Sequence, residues 1–80
     1  MAALFDSAIV PEDLQEKLYV LIIEDRAIHG EKWREFKAVY GNNTSRHMKQ
    51  LRERTMYYST FIPICEHLGL EYRLEVKELS

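Results

Sequence analysis

His29-Gly30-Glu31-Lys32-Trp33-Arg34-Glu35-Phe36-Lys37-Ala38-Val39-Tyr40-Gly41-Asn42-Asn43-Thr44-Ser45-Arg46-His47-Met48-Lys49-Gln50-Leu51-Arg52-Glu53-Arg54 is the stretch that decides the fold. Its first half sets Trp33, Phe36 and Tyr40 at i, i+3 and i+7, on one face of a helix from Glu31 to Tyr40. Gly41 stands where a left-handed C-terminal residue is wanted, and Asn42-Asn43 continues the turn. Asn43 or Thr44 can cap the next helix, because either side-chain oxygen accepts a bond from a free N–H at a helix start. That helix runs from Thr44 to Arg54 with few apolar positions, chiefly Met48 and Leu51. Ser45, Arg46, Lys49, Gln50, Arg52 and Glu53 are left to face solvent or a partner. The stretch reads as helix, tight turn, helix.

Upstream, Pro11 suits the first position of a helix, where its missing N–H costs nothing. Glu12 and Asp13 follow at the positive end of its dipole. Leu14, Leu18, Leu21 and Ile22 recur at helical spacing, widened by Tyr19, Val20 and Ile23, so this helix is expected to end near Ile28, before Gly30. Residues 1–10 form a short apolar-leaning arm. Downstream, Thr60 is expected to cap a fourth helix with Pro63 at its third position. Ile64, Cys65 and Leu68 would point inward and Gly69 would end it. Tyr72, Leu74 and Val76 then alternate with Glu71, Arg73, Glu75 and Lys77, the period of a strand over 71–79. The expectation is a mainly α chain: one four-helix domain over 1–80 with a C-terminal β-strand. That strand would pair with the N-terminal arm or, preferably, with its copy across a dimer, since a small core invites a second subunit.

Eighty residues suffice for one domain and one modest core. A single cysteine, Cys65, excludes an intrachain disulfide and fits a reducing compartment. The longest apolar run, Leu18 to Ile23, is far short of a membrane span. Met1-Ala2-Ala3-Leu4-Phe5-Asp6 lacks the basic start and apolar run of a signal peptide, so a cytoplasmic location with no membrane partner is expected. The net charge of −2 is unevenly spread. Residues 44–60 carry four basic side chains against one acidic, and the remainder carries seven against twelve. An acidic body with one basic segment suits a nucleic-acid binder with a single contact element.

The physical demands of duplex recognition match the third helix. A major groove admits one α-helix, which needs an apolar side to hold it to its domain and a polar side for base edges and phosphates. Ser45, Arg46, Lys49 and Gln50 lie in its N-terminal, exposed part. Arg52 and Arg54 follow nearer its end, better placed for the DNA backbone. Asn43 and Thr44, at a helix start that can seat a phosphate, complete the candidate DNA contacts.

The stretch from Leu18 to Val76 resembles the lambda-repressor-like (XRE) helix-turn-helix family. Gly30 to Phe36 sits where that family opens its first motif helix, Tyr40-Gly41 matches its turn, and Asn43 to Arg54 falls on its recognition helix. Ile64-Cys65-Glu66-His67-Leu68-Gly69-Leu70-Glu71-Tyr72-Arg73-Leu74 matches its frequent ending, a helix closing on Leu-Gly-Leu and then an alternating strand. The family's small residue on the first motif helix falls here at Lys37, with Ala38 next, and the turn is one residue longer. The resemblance implies a sequence-specific duplex DNA-binding transcriptional regulator, a homodimeric repressor acting by operator occupancy. It implies Ser45, Arg46, Lys49 and Gln50 as base or groove contacts, and Arg52 and Arg54 as phosphate contacts.

Other chemistry finds little footing. Cys65 and His67, at i and i+2 of one helix, point in different directions, and Cys65 falls on the apolar face. Ser45 with His47 fails as a nucleophile pair on the same geometry. His29, His47 and His67 lack the spacing of metal ligands, and Glu24 with Asp25 reads as solvated carboxylates at a helix end. Neither an enzyme nor a metal or other cofactor is expected. The rival reading is a small protein-binding module, such as an antitoxin or enzyme inhibitor, using the acidic body as its surface.

Overall fold

The computed structural model describes residues 8–72 and 77–78. Four α-helices account for most of them: α1 Glu12–Ile28, α2 Glu31–Tyr40, α3 Thr44–Glu53 and α4 Tyr58–His67. Two short strands, β1 Leu70–Glu71 and β2 Lys77–Glu78, follow.

The first helix starts one residue later than expected, with Pro11 just before it rather than in its first position. Pro11 is its N-cap, and the Pro11 carbonyl accepts from the N–H groups of Leu14 and Gln15 at 3.1 and 3.2 Å. Its buried face is narrower than expected, comprising Leu14, Gln15, Leu18 and Ile22. Val20, expected to widen the apolar stripe, is instead 42% exposed. The helix closes at Ile28, and Gly30 follows at φ +78°, a conformation that a Cβ would strain. Asp25 lies near that turn and serves both sides of it. Its backbone oxygen accepts from His29 and Gly30, while its carboxylate Oδ2 accepts from the N–H groups of Lys32 and Trp33 at 2.8 and 3.0 Å. A residue of α1 therefore caps α2, and Asp25 is not the merely solvated carboxylate its position suggested.

The α2 face holds Phe36 fully buried, with Trp33 and Tyr40 half-buried on either side in edge-to-face contact with it. Gly41–Asn43 form a single 3₁₀ turn that runs straight into α3. Asn43 is the residue before α3, yet neither its side chain nor that of Thr44 makes the expected cap. The tight turn removes the need, because the N–H of Thr44 already bonds the Gly41 carbonyl. On α3 the core positions are Thr44, His47 and Leu51, while Met48 is half-buried at the side. Arg54 ends the helix at φ 59°, the left-handed region usually left to glycine.

The fourth helix begins two residues before the expected cap at Thr60. Its first N–H, on Tyr58, is taken by the carbonyl of Ala8, so the N-terminal arm does the work assigned to a side-chain cap. Pro63 consequently lies inside the helix rather than in its first turn. The carbonyl it leaves without an i+4 donor is that of Ser59, an exposed residue that water can reach. Phe61, Ile64, Cys65 and Leu68 are buried, and Gly69 turns the chain at φ +68°.

The strand expected over 71–79 is not one continuous element. Leu70 pairs with Glu78 and Glu71 with Lys77 in antiparallel register, so the chain doubles back and β1 finds a pairing partner within the same chain. Residues 73–76 and 79, on which much of that expectation rested, lie outside the described residues. Residues 1–7 of the expected arm lie outside the described residues, and among those described residues 8–10 are not paired with the C-terminal segment. They pair with the α3–α4 connection, through the Ile9–Tyr57 bridge and the Val10 N–H to Met56 carbonyl bond of 3.0 Å.

One core joins these elements: Val10, Leu14, Leu18, Ile22, Phe36, Leu51, Met56, Phe61, Ile64, Cys65, Leu68 and Leu70. Gln15 sits among them fully buried. Its Nε2 donates to the Val10 carbonyl at 2.8 Å, and its Oε1 accepts from the Met56 N–H at 3.0 Å. Replacing Gln15 by Leu strands both backbone groups in an apolar core. Each stranded group costs about 1–3 kcal/mol, so urea unfolding should show a loss on the order of 3 kcal/mol. Burial, and then the charge of Glu66, pushes the Cys65 thiol from 9.0 up to about 12. Between those values the unfolded chain has lost a proton that the folded chain keeps. Stability should therefore fall as pH rises above 9, by at most about 1.4 kcal/mol per pH unit from this group. In Cys65→Ala that component of the slope should vanish from unfolding curves recorded between pH 9 and 11.

Candidate nucleic-acid interface

The third helix divides its surface cleanly. Thr44, His47 and Leu51 face the core, and Ser45, Arg46, Lys49 and Arg52 are exposed. Position by position, the candidate contacts separate into those held out to solvent and those turned to structural use. Ser45, Lys49 and Arg52 line one groove, with Met48 between them. Its other walls are Tyr19, Ile23 and Arg26 of α1 and Trp33 of α2, and it encloses about 510 Å³. Arg26, Lys49 and Arg52 are the charged side chains on that lining, and all three are basic. In a chain richer in acids than bases, this is a locally positive surface.

The indole of Trp33 anchors the groove. The Arg26 guanidinium lies 4.9 Å from its ring centroid and the Lys37 ammonium 5.5 Å, both within cation–π range. Neither Arg26 nor Trp33 was singled out as a contact from sequence. A signal existed in the basic residue closing α1, but only the packing of α1 against α2 and α3 brings it beside Lys49.

Arg46 and Asn43 are both exposed, and Arg46 Nη2 donates to Asn43 Oδ1 at 3.0 Å. The bond orients the guanidinium and uses one of its five donors. Gln50 is half-buried, with Oε1 3.3 Å from Nδ1 of the buried His47. One candidate, Thr44, is turned away from any outer partner, whereas Arg54 stays exposed. Thr44 is 6% exposed, with its Oγ1 buried and no hydrogen-bond partner among the described residues. Arg54 Nη2 is 2.9 Å from Glu16 Oε1, tying the end of α3 to α1.

The other titratable groups make no centre. Cys65 is buried, and Tyr40 stands edge-on to His47 at 4.9 Å and to His67 at 6.0 Å. Burial pushes the Tyr40 phenol up, with the Cys65 charge adding to it. Among the described residues, no cluster of three or more His, Cys, Asp or Glu is arranged to hold a metal ion. None of their helices is long and apolar enough to cross a membrane.

Because Thr44 presents a buried, unpartnered hydroxyl, Thr44→Val keeps the shape and removes the desolvated group. Thermal or urea unfolding should show it as stable as the parent, or up to about 1 kcal/mol more stable.

Compared with known proteins, the chain matches no family model, no curated protein and no solved structure.

Proposed function

We propose that this chain is a helix-turn-helix domain of the lambda-repressor-like kind that binds duplex DNA sequence-specifically. In this reading α2, the 3₁₀ turn and α3 are the motif, and α1 and α4 are its scaffold. The observation that carries it is the groove and exposed face of α3. Arg26, Lys49, Arg52 and Ser45 line the groove, Arg46 and its bonded Asn43 are exposed at the start of α3, and Thr44, His47 and Leu51 are locked into the core. A helix held this way can lie in a major groove without exposing its apolar residues. Arg46 and Lys49 would read base edges, helped by Ser45 and the Gln50 amide, and Arg52 would meet phosphate. Thr44 takes no part, since it is buried.

The domain would act as a homodimer, setting two α3 helices in successive major grooves about 34 Å apart, and would repress by occupying its operator. Because β1 already pairs with β2, a second copy would meet a hairpin rather than a lone strand at that end.

The test is selection of sequences from a random duplex DNA library by the purified chain, with Arg46→Ala alongside. The expected result is an enriched inverted repeat whose enrichment the variant loses, and parent affinity that falls steeply with salt as counterions are released. Absence of any enrichment at low salt overturns the reading and favours a protein-binding module.

A further inference from the structure

We infer that the outer face of α1 is the contact between two copies of this chain, packed antiparallel about a two-fold axis midway between Val20 and Leu21. It supplies an interface for the dimer named above and does not depend on DNA binding. Among the large hydrophobic residues left exposed are Val20 at 42% and Ile28 at 72%, both on α1. Two shallow depressions run along the helix and share Leu21 and Glu24. One is lined by Glu16, Lys17, Val20, Leu21 and Glu24, and the other continues past Ile28 to Lys32. An apolar centre at Val20 and Leu21 is thus flanked by Lys17 towards the N-terminus and Glu24 towards the C-terminus, while Glu16, at the edge of the same depression, is paired with Arg54 of its own chain.

That order is what an isologous contact requires. A two-fold axis pairs each residue of one copy with the residue equally far from the axis on the other. At 1.5 Å per residue, Lys17 and Glu24 each stand about 5 Å along the helix from a point between Val20 and Leu21. In the antiparallel pair, Lys17 of each copy therefore faces Glu24 of the other, while Val20 meets its own copy on one side of that line and Leu21 its own copy on the other. A parallel arrangement would set Lys17 against Lys17 and Glu24 against Glu24, so charge selects the antiparallel one. The two ion pairs flank an apolar contact of limited area, which makes a dimer whose strength depends on concentration and salt.

Sedimentation velocity of the full chain over a range of concentrations at low salt tests this, with Lys17→Glu and Glu24→Lys compared separately and mixed. Both changes are at exposed positions, and circular dichroism should match the parent. Each variant alone places like charges at two points of the contact and should raise the dimer dissociation constant at least about tenfold. The equimolar mixture restores both opposite-charge pairs in a heterodimer and should recover association near that of the parent. A parent dimer that neither variant weakens, or a mixture that fails to recover, overturns this interface and leaves the dimer itself standing. A parent that stays monomeric at every concentration overturns the interface and the dimer together. Operator selection then judges the DNA reading on its own.

Discussion

The fold turns on one side-chain amide. Gln15 lies in the core, where an unpaired polar group is costly, and it is tolerable there because both ends of the amide are satisfied. One end bonds Val10 and the other bonds Met56, so a single residue of α1 ties the chain just before that helix to the connection between α3 and α4. Once residues 8–10 lie beside residues 56–58, the Ala8 carbonyl meets the first N–H of α4 and Ile9 bridges Tyr57. The direction in which α4 leaves α3, and the burial of Phe61, Ile64 and Cys65 beneath it, follow from that pairing.

Much of the helical pattern was legible because it depends on neighbours in sequence. The spacing of Leu14, Leu18 and Ile22, and of Trp33, Phe36 and Tyr40, places α1 and α2 without knowledge of anything distant. Glycines at 30, 41 and 69 mark reversals that only φ above zero allows, and all three lie at φ above zero. What was not legible came from contacts between segments. The start of α4 is set by Ala8 rather than by Thr60, the cap of α2 comes from Asp25 on another helix, and the final strand folds back onto itself. No local rule could have announced them.

The candidate interface was legible in the same partial way. A polar, basic third helix follows from the scarcity of apolar residues between Ser45 and Arg54, and its exposed face carries Ser45, Arg46, Lys49 and Arg52. Which basic residues stand together is a matter of packing. Arg26, distant in sequence, lines the groove, whereas Arg54, within the basic segment, is held by Glu16. His47 occupies the core position that hydrophobicity alone would give to Met48, because its ring packs edge-on against Tyr40 and its Nδ1 faces Gln50. Charge and hydropathy rank side chains one at a time, and such mutual arrangements lie beyond them.

The carboxylate of Asp25 at the start of α2 has one more consequence. A helix beginning offers aligned N–H groups and a partial positive charge that readily receive an anion from outside. Here the N–H groups of Lys32 and Trp33 already hold an anion belonging to the chain itself. An external phosphate approaching this side of the molecule must be gripped by long, rotatable side chains rather than by rigid main chain. An anion held only by such side chains is gripped less rigidly than one seated on main chain.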